Sequence, residues 1–199
     1  MPKLILFDLC FLKHSISQCY TTAFNKTDQS YILVLHFWLM GKKNIEIAGP
    51  SDGTIEMLKK AYALEMSAFH YWFYIDQYAE GLGFLHSDFY SESANDELEH
   101  AKKVALRLDQ LGAKATDNPQ DWAEVSGLGN LEPGKHVTLR NALEYALEFE
   151  RTAIAHYNEL ASSTQGKDHI TYHLALDLVS DEAKDEQDIE DILDKLEIS

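Results

Sequence analysis

Four stretches of this chain place an apolar residue every third or fourth position, and each stretch carries an acid inside its apolar stripe. Leu58, Ala61, Glu65, Ala68, Trp72 and Ile75 predict a helix over 52–81. Ala94, Glu97, His100, Ala101, Val104, Leu108 and Leu111 predict a second over 88–112. Leu143, Ala146, Leu147, Glu150, Ala153, Ile154, Tyr157 and Leu160 predict a third over 137–163. Leu178, Glu182, Asp185, Ile189, Ile192 and Leu196 alternate steps of four and three, a heptad-like seam over 168–196. Gly49-Pro50-Ser51-Asp52-Gly53 supplies turn chemistry and the N-cap candidates Ser51 and Asp52; Gly81 and Gly83 end the first helix, and Asp168 sits near the start of the last. Residues 113–136 are irregular and contain Pro119, Gly127, Gly129, Pro133 and Gly134, with one helical turn expected at 122–125. A connection this long lets the third helix run parallel to the second, so the predicted fold is an all-α antiparallel four-helix bundle with a long crossover in its middle.

The acids within the stripes need a reason, because an unpaired buried carboxylate is costly. Glu97 and His100 are three apart and share one helix face, one turn from each other, where they can hold one transition metal together. Glu65 lies 32 positions before Glu97; Glu150 lies 32 before Glu182, and Asp185 repeats the three-residue step. Two half-sites of one design predict a two-metal centre in the bundle core. Glu148 competes with Glu150, but Glu150 falls between the apolar pairs 146/147 and 153/154 and keeps the repeat. The blander alternative puts Glu65 at a stripe edge, reaching to water. The acids of 181–191 other than Glu182 and Asp185 read as one solvated surface. His70, His86, His136, His156 and His173 have no acidic partner in register.

Composition changes the picture at the N-terminus. Residues 1–49 hold five Lys and three acids, whereas 50–199 hold 12 basic and 30 acidic residues, within an overall net charge of −16. The acidic part repels phosphates, which makes DNA binding an unfavourable expectation, and it attracts cations. The apolar runs 4–7 and 31–40 are too short to span a bilayer, so no membrane is expected. A signal peptide is one reading of the first run, although Asp8 interrupts it; a start at Met40 is another. Residues 1–49 are therefore an N-terminal extension given no chemistry, and 50–199 form the domain. Cys10 and Cys19 are the two cysteines, which rules out a disulfide framework or a Cys-x-x-Cys site and fits a reducing cytoplasm.

The stretches Ala63-Leu64-Glu65-Met66-Ser67-Ala68, Ala94-Asn95-Asp96-Glu97-Leu98-Glu99-His100-Ala101, Glu150-Arg151-Thr152-Ala153-Ile154-Ala155-His156-Tyr157 and Asp181-Glu182-Ala183-Lys184-Asp185-Glu186 together resemble the ferritin-like superfamily. Within it they resemble bacterioferritin and Dps-like diiron proteins that keep both metals in one subunit. The resemblance implies two iron ions per chain, with manganese as an alternative. Glu97 and Glu182 would bridge them, Glu65 and His100 would complete one, and Glu150 and Asp185 the other. The family has His where this chain has Asp185, a harder ligand that adds negative charge. Leu98 stands where bacterioferritins carry the haem-ligating Met, so no haem is expected. The resemblance ends with the fourth helix, as in twelve-subunit Dps-type shells.

The function implied is that of a ferroxidase for iron storage, detoxification and oxidative-stress protection, oxidising Fe(II) with O₂ or H₂O₂ in a homo-oligomeric shell. A rubrerythrin-like or manganese-catalase-like peroxide reductase is the enzymatic alternative, and a structural or DNA-coating shell the non-enzymatic one. Tyr71, Trp72 and Tyr157 fall one or two turns from the expected site, as electron donors or as packing.

Overall fold

Ser51 starts the first helix, its hydroxyl oxygen accepting from the Thr54 N–H at 3.1 Å. The computed structural model describes residues 51–129 and 131–198. The expectations for residues 1–49, and the Gly49-Pro50 part of the first turn, lie outside them. Five helices follow in order: α1 (Asp52–Tyr78), α2 (Ser87–Gln110), the short α3 (Trp122–Ser126), α4 (Leu139–Thr164) and α5 (His169–Ile198). α1, α2, α4 and α5 form the bundle, and α3 is the expected helical turn of the crossover.

α1 ends three residues before the predicted 81. Ala79 and Glu80 leave helical geometry, the Glu80 N–H donates to Val137 O at 2.8 Å, and Gly81 takes a left-handed φ of 60°. This strand-like pairing of Glu80 with 137–138 has no periodic signal in the sequence. It also fixes the topology. α4 begins beside the end of α1, which is where α2 begins too, so α2 and α4 run parallel and the crossover travels the length of the bundle. At the opposite end, His156 Nε2 lies 2.8 Å from Met57 O, which confirms that α1 and α4 are antiparallel.

The core is divided in two. One half gathers Tyr71, Trp72, Ile75, Tyr90, Leu143, Phe149 and Ile189 near the α1–α2 turn. The other gathers Leu58, Val104, Leu108, Tyr157, Leu160 and Leu178 towards the α4–α5 turn. The stripe acids lie between them. Arg107 closes the second half: its Nη2 donates to Asp168 Oδ1 and Oδ2 at 2.9 and 2.7 Å, and its Nε to Thr171 Oγ1 at 2.7 Å. Asp168 in turn accepts from the Thr171 N–H at 3.0 Å and so caps α5. No helix among the described residues is long and apolar enough to cross a membrane.

Candidate metal centre

Burying an acid is tolerated when its charge is matched, and here five ionisable groups are buried together. Glu65 from α1, Glu97 and His100 from α2, Glu150 from α4 and Glu182 from α5 are each between 1 and 5 % exposed. Donor atoms of Glu65, Glu97, His100 and Glu182 all lie within 4.8 Å of one another. Glu150 lines the same small cavity, together with Glu65, Glu97 and Glu182. Glu148 is exposed.

The ring of His100 shows what the cluster is built to hold. Its Nδ1 is 2.9 Å from Glu182 Oε1, 3.6 Å from Glu65 Oε2 and 3.8 Å from Glu97 Oε2. None of these contacts is aligned for a hydrogen bond, so Nδ1 and Glu182 Oε1 face each other as a buried ion pair and neither makes a hydrogen bond. Native structures seldom leave such atoms without a hydrogen bond unless an ion or water belongs there. The site therefore fits a cation placed between them, with the imidazole nitrogen and carboxylate oxygens that first-row transition metals accept.

The protonation states agree with a site shaped for positive charge. Burial first, then the charge on Glu182, pushes the Glu97 carboxyl well above the usual carboxylate range. Burial, then the charges on Glu97 and Glu182, does the same to Glu150. Glu182 is pushed up to about 7 by burial and by Glu65, against the lowering contact with His100. Burial would push His100 down, but its contacts with Glu182, Glu65 and Glu97 outweigh this and hold the ring well above the usual histidine range. A bound cation would take over the role of these protons.

Two neighbours hold the cluster in place. The Tyr157 hydroxyl donates a short hydrogen bond to Glu65 Oε1. Asp181 Oδ2 lies 3.4 Å from His100 Nε2, and Lys103 Nζ donates to the same oxygen at 3.1 Å. Asp181 reads as surface charge in the sequence. The signal that could have found it is its place directly before Glu182, which turns it towards α2. Asp185 is half-buried and stands apart from the four close donors: Lys184 Nζ is 3.5 Å from its Oδ1, it feels the charge of Asp96, and Glu150 feels its own. Tyr71 and Trp72 pack in the aromatic half of the core, where the Tyr71 hydroxyl donates to Ala142 O at 3.0 Å. Among the histidines without a partner in register, His156 is buried and bonded to backbone.

Comparison with known proteins gives a consistent picture. The ferritin family, described as the ferritin-like domain, matches residues 55–199. A DNA protection during starvation protein from Pyrococcus furiosus is 28% identical over 140 residues, which cover 70% of this chain and 76% of that protein. The bacterioferritin-related protein of Bacteroides fragilis, a dodecameric thioferritin, superposes with a TM-score of 0.69 at 24% identity, over 84% of this chain and 94% of its own. A ferritin-like diiron-carboxylate protein from Bacillus anthracis superposes with a TM-score of 0.61 at 22% identity, over 71% and 95%. The two structural likenesses carry the fold.

Proposed function

Because the chain belongs to the ferritin-like domain family, we propose that its buried carboxylate–histidine cluster is a ferroxidase centre that takes two Fe(II) ions as substrate. The observation that carries this reading is the buried contact of His100 Nδ1 with Glu182 Oε1, 2.9 Å apart with no hydrogen bond made by either atom, inside a ring of carboxylates. Glu65 and His100 would serve one iron, Glu150 and Asp185 the other, and Glu97 and Glu182 would bridge. Two Fe(II) ions give up two electrons. H₂O₂ takes them with two protons to become two waters, or O₂ takes them with two protons to become H₂O₂. The carboxylates stabilise the Fe(III) that results, since hard anionic oxygen suits the higher charge.

The chain's own groups have distinct tasks in this scheme. The raised carboxyls of Glu97, Glu150 and Glu182 release protons as iron arrives. Tyr157 keeps Glu65 turned into the site, and Asp181 keeps His100 Nδ1 aimed at the metal. With a net charge of −16, protection by this chain would come from removing Fe(II) and peroxide and not from coating DNA. A closed homo-oligomeric shell, of twelve subunits as in the Bacteroides fragilis relative, would receive the Fe(III). The carboxylate-only second position, with Asp185 in place of a histidine, keeps a manganese-dependent peroxide reductase as a second reading.

The test is anaerobic Fe(II) binding followed by stopped-flow oxidation, with light scattering for assembly. The wild type should bind two Fe(II) and oxidise both, and Glu97→Ala, which removes a ligand shared by both metals, should abolish the oxidation. Oxidation by Glu97→Ala at the wild-type rate would sink the proposal.

A further inference from the structure

The cluster has two unlike faces. Between α2 and α5 it is bordered by charged groups: Asp181 and Lys103 behind His100, then Asp185 and Lys184. Between α1 and α4 it is bordered by a small cavity whose wall is Leu64, Ala68, Phe149 and Ala153. Ala68 and Ala153 leave a gap between those two helices, and the residue that stands in the gap is Leu128, from the crossover.

Leu128 is held there by the backbone around it. It lies between Gly127 and Gly129, whose φ angles of 79° and 74° are left-handed and strained for any residue with a side chain. Its own N–H donates to Ser126 Oγ at 3.2 Å, Gly127 N–H donates to Glu124 O at 3.2 Å, and Gly129 N–H donates to Ala123 O at 3.1 Å. The end of α3 thus clamps a turn whose one large side chain reaches the metal-site cavity. The room left behind it is about 10 Å³, the space of a single water molecule.

We propose that Leu128 determines oxidant specificity: it admits molecules the size of O₂ or H₂O₂ to the carboxylate cluster through the apolar α1–α4 face and excludes alkyl hydroperoxides. Neither O₂ nor H₂O₂ carries a charge, so an apolar passage costs them far less desolvation than it would cost an ion. The chemistry is the same for any hydroperoxide ROOH. Two Fe(II) supply two electrons, the O–O bond breaks, and two protons complete ROH and H₂O, so size alone separates hydrogen peroxide from its alkyl relatives. The oxidant part of this inference rests on the ferroxidase reading; the size limit itself does not.

The experiment therefore has a metal-free arm and a loaded arm, both in full-length protein with Cys10→Ser and Cys19→Ser. In the first, Ala153→Cys places a thiol on the cavity wall, and its labelling is timed with methyl methanethiosulfonate and with the bulkier 5,5′-dithiobis(2-nitrobenzoate). Adding Leu128→Ala should speed the bulky reagent about tenfold relative to the small one; Leu128→Phe should slow both, and Leu128→Met should change neither. Ala175→Cys, fully buried on α5 and outside the cavity wall, reports general loosening. The size limit is overturned if Leu128→Ala leaves labelling of the cavity-wall thiol unchanged, or if it speeds labelling of the thiol at position 175 equally. In the loaded arm, which keeps Ala153, Leu128→Ala should narrow the rate ratio of hydrogen peroxide to tert-butyl hydroperoxide about tenfold. A protein that oxidises Fe(II) with neither peroxide nor O₂ overturns the ferroxidase reading, while the thiol arm still decides the size limit.

Discussion

Asp181 Oδ2 lies 3.4 Å from His100 Nε2, on the side of the ring away from the carboxylates. Lys103 Nζ donates to the same oxygen at 3.1 Å and so positions the carboxylate that faces the ring. A carboxylate facing Nε2 favours the proton there, so Nδ1 is the nitrogen that gives up its proton when a metal binds. Asp181→Ala should therefore weaken Co(II) binding. The loss should be about tenfold, the low end for such partners, because the Asp181 side chain is 47 % exposed. Absorbance titration measures it, and an unchanged affinity and spectrum would reduce Asp181 to surface charge.

The neighbouring acids of α4 should behave differently. Glu150 is buried at the cavity and Glu148 is exposed. Glu150→Ala should lower occupancy of the second metal by at least about tenfold, and Glu148→Ala should leave both metals in place. Metal content after dialysis against a fixed free Fe(II) concentration separates them; equal losses would move the ligand assignment on this helix.

Arg107 is 2 % exposed and has its charge matched by Asp168. Removing it strands a carboxylate that burial alone would push up and that the contacts with Thr171 and Arg107 hold low. Arg107→Ala should destabilise the fold by about 3–5 kcal/mol in urea unfolding. Because the Asp168 pKa is depressed, its stabilisation is present above the unfolded-state value and disappears as pH falls through the folded one, below about pH 4. The variant should accordingly lose its deficit relative to wild type in acid. A deficit independent of pH down to that range would leave only packing as the cause.

Glu182 works in the opposite sense. Its folded-state pKa is pushed up to about 7, so between the unfolded value near 4.5 and that pH the folded state binds more protons than the unfolded one. Stability of the metal-free protein must then fall as pH rises through that window. Glu182→Gln should raise the metal-free melting temperature more at pH 7 than at pH 5, by about 2–4 °C. Wild type with metal bound should reverse the trend, since binding replaces the protons. Calorimetry at both pH values decides; a larger gain at pH 5 would contradict the assigned direction.

The bundle was legible because its signals are local and periodic. The stripes through Leu58–Ile75 and Leu178–Leu196 name both the helices and their buried faces, and the acids at 65, 97, 150 and 182 stand out as breaks in an apolar pattern. What escaped the sequence depends on contacts between elements. Glu80 pairs with Val137 across the bundle end, Arg107 reaches Asp168 across 61 positions, and Leu128 comes to the cavity from an irregular connection. None of these follows from spacing along one helix. Asp181 lies between the two cases: it is on a predicted helix, but its surroundings are set by α2.

Asp185 gives the sharpest remaining contrast. It occupies the position where the ferritin-like resemblance calls for histidine, yet it is half-buried, with Lys184 Nζ at 3.5 Å. Burial raises its pKa and the charge on Lys184 lowers it. A metal between Glu97, Glu182 and Glu150 would thus have a partly exposed carboxylate as its fourth protein group, while a metal at His100 would have an imidazole faced by Asp181 on its far side. Imidazole favours Fe(II) more than carboxylate does, and carboxylate suits Mn(II). Anaerobic titration of the wild type should show two unequal Fe(II) sites, and Mn(II) should compete first at the weaker one. Asp185→His should strengthen that site by about tenfold, because a longer ring can displace the Lys184 contact and reach inward. His100→Asp should weaken the stronger site. Two equal sites in the wild type, or an unchanged weak site in Asp185→His, would show that residue 185 lies outside the coordination sphere and that water completes it.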